Sequence, residues 1–397
     1  MTATVTQLTP SANDKIICKI DGALVHSIQQ YLKSNHPDWT IERYKETYPG
    51  EPVLSAFAKW SLDQQRNRQS APVVATPVLQ AAFASVTKGM HEVFELGNAK
   101  AAFSDSGNPI PVSVFSGHSG ESLDYLIEVD SDYVFNIDLL KKVVAAMILN
   151  KPCLLWGMHG TGKTTIIEQV AARTRRPAIR VQHTVNMEES HVIGQWVVNR
   201  GEMEFQLGPL ALAMLNGWVY IADEYDFAMP SVIALYQPVL EGKSLLIKEA
   251  PAHLRKITPH PDFRFFATGN TNGCGDETGL YQGTMLQNAA AYSRFGVTEE
   301  VTYMDKKIEE NILRARTKIP TSVAENFVKF ANEVRKAFKE DRIGTTISPR
   351  ELINAAQLGL AFSNKWIIGL ELAFANRLTR VDRKVVQEML QRMFGGA

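Results

Sequence analysis

The sequence predicts an α/β protein: a parallel sheet flanked by helices, followed by an all-helical C-terminal part and preceded by a small compact N-terminal unit. Three observations predict it. Between residues 152 and 303 short apolar runs alternate with stretches of helical period. Beyond residue 305 the period is helical throughout. A glycine-rich turn joins the first apolar run to a helix, the place where a parallel α/β sheet presents a ligand site.

A chain of 397 residues exceeds one hydrophobic core, so several structural units are expected. Apolar residues at 45% and charged residues at 21% fit a soluble globular protein and exclude a disordered or fibrous one. Lys+Arg and Asp+Glu balance at 42 each, which removes any global charge argument for nucleic acid or an anionic membrane. The local cluster Arg173, Arg175 and Arg176 reads as the cationic end of a helix, with a binding patch as the alternative. Cys18, Cys153 and Cys274 are too scattered for a disulfide framework and point to a reducing compartment. The longest apolar run, 143–149, is far short of a membrane span, and residues 1–15 carry no secretory pattern. A cytoplasmic protein with no membrane association is the expectation.

Along the chain the expected units are residues 1–57, a small N-terminal module; 58–109, helical and linker sequence; 110–304, the α/β core; and 305–397, the helical part. The turn-formers at 104–109 mark the boundary before the core. Val134, Leu139, Val143, Ala146 and Met147 recur near helical period, so a helix over 133–149 leads into the first core strand. Strands are expected at 152–156, 178–183, 218–222, 263–268 and 297–303. Helices are expected at 305–316, 320–340, 348–363 and 366–393, the last broken near Thr379.

Gly157-Met-His-Gly-Thr-Gly-Lys163-Thr164 matches the phosphate-binding loop pattern between an apolar strand and a helix bearing Ile166, Ile167, Val170 and Ala171. Glycines at 157, 160 and 162 let backbone N–H groups turn inward around phosphates, with Thr161 between them and the helix N-terminus behind. Lys163 is expected at the β- and γ-phosphates of ATP, and the Thr164 hydroxyl on Mg²⁺, with Thr165 next in the loop-to-helix turn. His159 is given no role. Sixty residues beyond Lys163, the apolar run 218–222 ends in Asp223 and Glu224. Asp223 is the candidate to hold the metal and Glu224 to polarise the attacking water. Asn270 follows the run 263–268 and is a candidate to place that water or report the γ-phosphate; the alternative is a plain turn over 268–272, since Gly269 and Asn270 are turn-formers, and the sensor is the favoured reading. Arg294 and Arg350 are the guanidinium candidates for charge developing in phosphoryl transfer.

These stretches carry a family resemblance. Residues 110–394 resemble the ATPase subunit of aerobic cobaltochelatase (CobS-like), within the MoxR group of AAA+ proteins, through GMHGTGKTTIIEQVAAR at 157–173, DEYDFAMPSV at 223–232, ATGNTNGCGDETGLYQGT at 267–284 and SPRELI at 348–353. The third is the most diagnostic. The resemblance implies a P-loop AAA+ core with a helical lid, Asn270 as first sensor, Arg294 as an arginine finger supplied to a neighbouring subunit, and Arg350 as second sensor. It implies a ring, commonly a hexamer, working with a partner that bears a metal-ion-adhesion (VWA) domain. In the chelatase a third, large subunit binds the tetrapyrrole, so no chelation chemistry is expected in this chain. Residues 192–209 and 243–257 resemble the group's two inserted hairpins, although by themselves both read as ordinary surface hairpins. The leading expectation is an ATPase that remodels or activates a protein partner, and the second is the ATPase subunit of a cobalt or magnesium chelatase. A merely nucleotide-gated binding module fits poorly with intact Lys163, Thr164, Asp223 and Glu224.

Residues 16–57 depart from that family. They resemble small zinc-finger-like modules with an eroded ligand set: Cys18 is kept, Asp21 stands at the second cysteine, Tyr31 at the first histidine, and His36 remains, with His26 as a substitute candidate. A Cys, Asp, His, His set is unusual for zinc. A metal-free fold held by Ile17, Ile20, Leu24, Ile28, Leu32, Trp39 and Tyr44 is the expectation, with docking of a partner or of nucleic acid left open.

Overall fold

The computed structural model describes residues 11, 13–69, 83–276 and 279–395. The chain divides into two compact units, residues 1–76 and 77–397. In the first, β1 (Ile16–Ile17) and β2 (Leu24–Val25) form an antiparallel hairpin. Two short helices follow, α1 (Ile28–Asn35) and α2 (Ile41–Thr47), started by Ser27 and Thr40, whose side chains accept from Gln30 N and Arg43 N. Helix α3 (Ala56–Gln69) closes the unit. Its core is Cys18, Ile28, Leu32 and Tyr44, with Ile20 and Trp39 packed against them. Ile17 and Leu24, expected in that core, face each other across the hairpin and stay exposed at 53% and 61%. A two-residue strand has one inward and one outward position, and Cys18 supplies the inward contact instead.

The second unit opens earlier than the turn cluster at 104–109 suggests. Strand β3 (Ala84–Gly89) pairs antiparallel with β4 (Pro111–Ser116), and α4 (Met90–Val93) lies between them. Met90 and Phe94 are buried in the same core as α5 (Ile137–Ile148), so part of the segment read as linker belongs to the α/β body. Helix α5 starts later than residue 133 because Asn136 caps it, accepting from the N–H groups of Asp138 and Leu139.

The body then alternates strand and helix: β5 (Cys153–Trp156), α6 (Lys163–Arg173), β6 (Ala178–Gln182), α7 (Glu189–Ile193), the hairpin β7 (Gly194–Asn199) and β8 (Glu202–Leu207), α8 (Pro209–Asn216), β9 (Val219–Asp223), α9 (Pro230–Leu240), the hairpin β10 (Leu245–Leu246) and β11 (Lys256–Ile257), β12 (Arg264–Gly269), α10 (Ala289–Tyr292) and β13 (Val297–Glu300). Five strands form one parallel sheet in the order β13-β5-β12-β9-β6. The central strands β9 and β12 are buried at every position, as expected when helices cover both faces. Alternation divides their side chains between two cores: Tyr220, Ala222, Phe265 and Ala267 on one face, and Val219, Ile221 and Phe266 on the other. The outer strands end earlier than expected, yet Val301 N still donates to Trp156 O at 2.7 Å and His183 N to Asp223 O at 2.8 Å.

The C-terminal part is helical: α11 (Lys306–Thr317), α12 (Thr321–Lys339), α13 (Pro349–Ala361), α14 (Trp366–Ala373) and α15 (Arg380–Phe394) around a core that includes Phe327, Phe330, Leu352, Leu370 and Leu390. The break expected near Thr379 falls there, where its hydroxyl accepts from Asp382 N and starts α15. Ion pairs of Arg316 with Asp130 and of Lys318 with Asp132 tie this helical part to the body. Among the described residues no helix is long and apolar enough to cross a membrane.

Candidate active site

The carboxyl ends of β5, β12 and β9 lie side by side, so the glycine-rich turn after β5, Asn270 after β12 and the acid pair at the end of β9 converge through sheet order alone. The turn has little spare room. Gly157 sits at φ +131, and a Cβ there would lie 2.5 Å from Val301 O. Gly160, at φ +69, would place a Cβ 2.5 Å from the Ser348 Cβ at the start of α13. Lys163 folds back on the turn, donating to Gly157 O at 2.7 Å and Met158 O at 2.8 Å and lying 3.4 Å from Asn270 Oδ1. Burial pulls its ammonium down to about 8 against the pull of Asp226, Asp223 and Glu224. Those carbonyls are a resting place that a phosphate can take over.

Asp223 faces Thr164 directly: the Thr164 hydroxyl donates to Asp223 Oδ1 at 2.7 Å, and the Thr268 hydroxyl donates to the same oxygen. Burial pushes the Asp223 carboxyl up, but the hydroxyls of Thr268 and Thr164 and the Arg180 guanidinium outweigh it and leave the group below its ordinary range. An ionised carboxylate beside a hydroxyl is a hard-oxygen donor set that suits a divalent ion such as Mg²⁺ held with phosphate oxygens. Glu224 occupies the left-handed region at φ 53, ψ 43, a conformation costly for a non-glycine residue and found where a site dictates the turn. Its Oε2 accepts from Gln182 Nε2 at 2.7 Å.

Asn270 is held by Asp226, whose Oδ2 accepts from Asn270 N at 2.9 Å, Thr271 N at 2.8 Å and the Thr271 hydroxyl at 3.0 Å. The following loop returns to the glycine-rich turn: the Tyr281 hydroxyl accepts from His159 N at 3.0 Å and lies 3.2 Å from His159 Nδ1. A cavity of about 280 Å³ is lined by residues 159–165, Arg180, Gln182, Asp223, Glu224, Thr268, Asn270 and Arg350. A second, of about 350 Å³, shares Gly160, Thr161, Gly162, Thr165 and Arg350 and continues to Tyr133, Val134, Met304, Ile312 and Ile353. A polar chamber joined to a more apolar one suits a polyphosphate with an attached base.

Arg350 thus lies in the site, while Arg294 lines neither cavity. Its Nε donates to Glu241 Oε1 at 2.7 Å and its Nη1 to Ala290 O at 2.5 Å. Four side chains that enter this arrangement receive no role from the sequence, although Asp226 and Tyr281 lie in the stretches that carry the family resemblance. Arg180 and Gln182 sit on edge strand β6, where alternate positions read as solvent-facing, and Tyr281 reaches the turn only through a long loop.

Residues 152–295 match the family described as AAA domain (dynein-related subfamily), and residues 309–395 match the CbbQ/NirQ/NorQ C-terminal family. Over 282 residues the chain is 34% identical to the aerobic cobaltochelatase subunit CobS of Sinorhizobium sp, an alignment spanning 68% of this chain and 83% of that protein. It is 29% identical over 199 residues to midasin of Dictyostelium discoideum, covering 49% of this chain and 3% of midasin. Among solved structures, the RuvB Holliday junction branch migration motor of Thermotoga maritima is similar at 16% identity and a TM-score of 0.38, covering 68% of this chain and 73% of its own.

Proposed function

Because the chain belongs to the CobS-like AAA+ ATPases and is an ATP hydrolase, we propose that it works in a ring, as a hexamer, and spends ATP on remodelling or activating a protein partner that bears a metal-ion-adhesion (VWA) domain. The carrying observation is the convergence of Lys163, Thr164, Asp223, Glu224, Asn270 and Arg350 on one cavity while Arg294 stands outside it. Lys163 exchanges the loop carbonyls for the β- and γ-phosphates, and the backbone N–H groups of residues 160–165 cradle them. Thr164 and Asp223 would hold Mg²⁺, which when bound would neutralise charge on the phosphate oxygens. Glu224 polarises the attacking water and accepts its proton; Asn270 places that water. Arg350 serves the nucleotide of its own chain from α13, and Arg294 serves the neighbour's.

A second reading, the ATPase subunit of a cobalt or magnesium chelatase acting on a tetrapyrrole, is favoured by the likeness to CobS and by the GDETGLY stretch at 275–281. Copurification under native conditions separates the two. A partner with an Asp-x-Ser-x-Ser adhesion motif alone supports the remodelling motor; an additional large tetrapyrrole-binding partner establishes the chelatase. Neither partner, with a ring that hydrolyses ATP alone, would refute both assignments.

For the N-terminal unit we infer a metal-free fold in which Asp21 takes the place of a bound ion. Its Oδ2 accepts from Tyr31 OH at 2.8 Å and from His36 Nε2 at 2.8 Å, gathering three of the eroded ligand positions. Chiefly His36, then Tyr31 and the Ala23 amide, hold the Asp21 carboxyl well below its ordinary value of 3.8. A depressed folded pKa contributes stability that is complete above 3.8 and is lost as pH falls through the lowered value. Asp21→Asn should therefore speed amide exchange across residues 16–48 of the intact chain at pH 7 and leave the second unit unchanged. Purified protein should also carry well under one zinc per chain, with melting insensitive to a chelator. Stoichiometric zinc lost with Cys18→Ser would overturn the inference.

A further inference from the structure

Asp223 meets the site already occupied. While Thr164 and Thr268 donate to Oδ1, its Oδ2 accepts from Arg180 Nε at 2.8 Å and Arg180 Nη2 at 2.5 Å. Arg180 stands on β6 directly beside β9, and its remaining nitrogen, Nη1, reaches Glu168 on α6 at 3.4 Å. The guanidinium thus bridges the acid at the end of β9 and a carboxylate of the helix that begins with Lys163. The two partners differ in freedom: the Asp223 side chain is 5% exposed and that of Arg180 49%. The acid is fixed; the cation can leave. Nothing in the hydrolytic arrangement described above needs a positive charge on Asp223, and a guanidinium donating twice to Oδ2 neutralises the charge that a divalent ion approaching Oδ1 beside Thr164 would draw on.

We propose that Arg180 is a positioning residue that holds the metal-binding carboxylate until metal and nucleotide arrive together, and so sets how much divalent ion the site demands. The proposal rests on the reading of this cavity as an Mg·ATP site. Two cations compete for one carboxylate. A guanidinium left a few ångström from a divalent ion is repelled by it, so Arg180 would turn away, and Glu168, which it already reaches through Nη1, offers it a second carboxylate. Arginine stays protonated at any working pH, so the competition answers to the concentration of free metal and not to protons. The free subunit would keep Asp223 neutralised and ordered, and metal alone, without phosphates to complete its shell, would bind poorly.

The test is equilibrium binding of a fluorescent, slowly hydrolysed ATP analogue to the full-length protein, titrated with MgCl₂ at fixed analogue concentration, with binding in EDTA as reference. Arg180→Ala should lower the half-saturating Mg²⁺ concentration about tenfold, the scale expected when one nearby unit charge is removed from a divalent site. Because Arg180 also lines the nucleotide cavity, affinity in EDTA is the reference against which that shift is read, and any loss there is divided out. Arg180→Gln should behave as the alanine variant does, and it carries the test should Arg180→Ala fail to fold. Arg180→Lys, which keeps the charge, should fall between wild type and alanine. Unchanged or raised Mg²⁺ demand in the neutral variants overturns the proposal, as does a lysine variant shifted as far as alanine. A wild-type protein that binds the analogue with no dependence on Mg²⁺ overturns only the role of Arg180, whereas one that binds no analogue at saturating Mg²⁺ overturns the site reading as well.

Discussion

Arg294→Ala should lower ATP turnover by about 10³–10⁵ while leaving ATP affinity within a few-fold of wild type, the signature of a guanidinium that acts on the transition state from another subunit. In its own chain Arg294 pairs with Glu241 and lines neither cavity beside the phosphate loop. On the proposed reading, its effect on hydrolysis would come through a neighbour. Mixing gives the decisive measurement: Arg294→Ala subunits combined with Glu224→Gln subunits, each nearly inactive alone, should recover part of the turnover. Recovery arises at interfaces where an intact Glu224 meets an intact Arg294. Mixed rings that form and stay inactive would sink the trans assignment unless every site must fire. Titrating either variant into wild type separates those cases, since strict coordination gives a steeper loss than independent interfaces.

Lys163→Ala and Glu224→Gln should fail in opposite ways. Lys163 is the buried cation that donates to the loop carbonyls, and without it the phosphates lose the one ammonium seated inside the glycine-rich turn. Binding should fall below detection at micromolar protein. Glu224→Gln removes only the proton acceptor, so ATP should stay bound while turnover drops about 10²–10⁴-fold. Equilibrium binding and steady-state turnover on both variants check this. A Glu224→Gln protein that hydrolyses at the wild-type rate would remove Glu224 from the chemistry.

The parts of this site legible in the sequence are those whose partners are set by one local rule. A glycine-rich turn between an apolar strand and a helix declares itself, and two acids at the end of an apolar run declare the opposite wall. The expected helical tail also appears, down to the break at Thr379. What the sequence hides is lateral. Arg180 meets Asp223, and Gln182 meets Glu224, only because β6 is hydrogen-bonded beside β9. No spacing along the chain encodes that adjacency, and on an edge strand both residues look like ordinary solvated positions. Tyr281 reaches His159 across 122 positions, and the strand Ala84–Gly89 joins the body through a pairing partner at 111–116 that the intervening turn-formers disguise as a boundary. The exposure of Ile17 and Leu24 follows the same logic, since hydrophobicity does not say which face of a two-residue strand is inward.

The missing space at Gly160 has a mechanical meaning. The glycine-rich turn touches Ser348 at the start of α13, with no room for a methyl group, and its other end bears equally closely on Val301, just before the helical part begins. A phosphate that shifts the turn by a fraction of an ångström therefore pushes on a seat that cannot compress. Rotation of the helices beyond is the motion such a push would favour. Helix α12, with 19 residues, is an arm of about 28 Å, so a turn of about 5° at its base would carry its far end about 2.5 Å, roughly half a helical pitch. In a ring, where each arm would rest on the next subunit, that leverage would let one subunit's γ-phosphate set the posture of its neighbour.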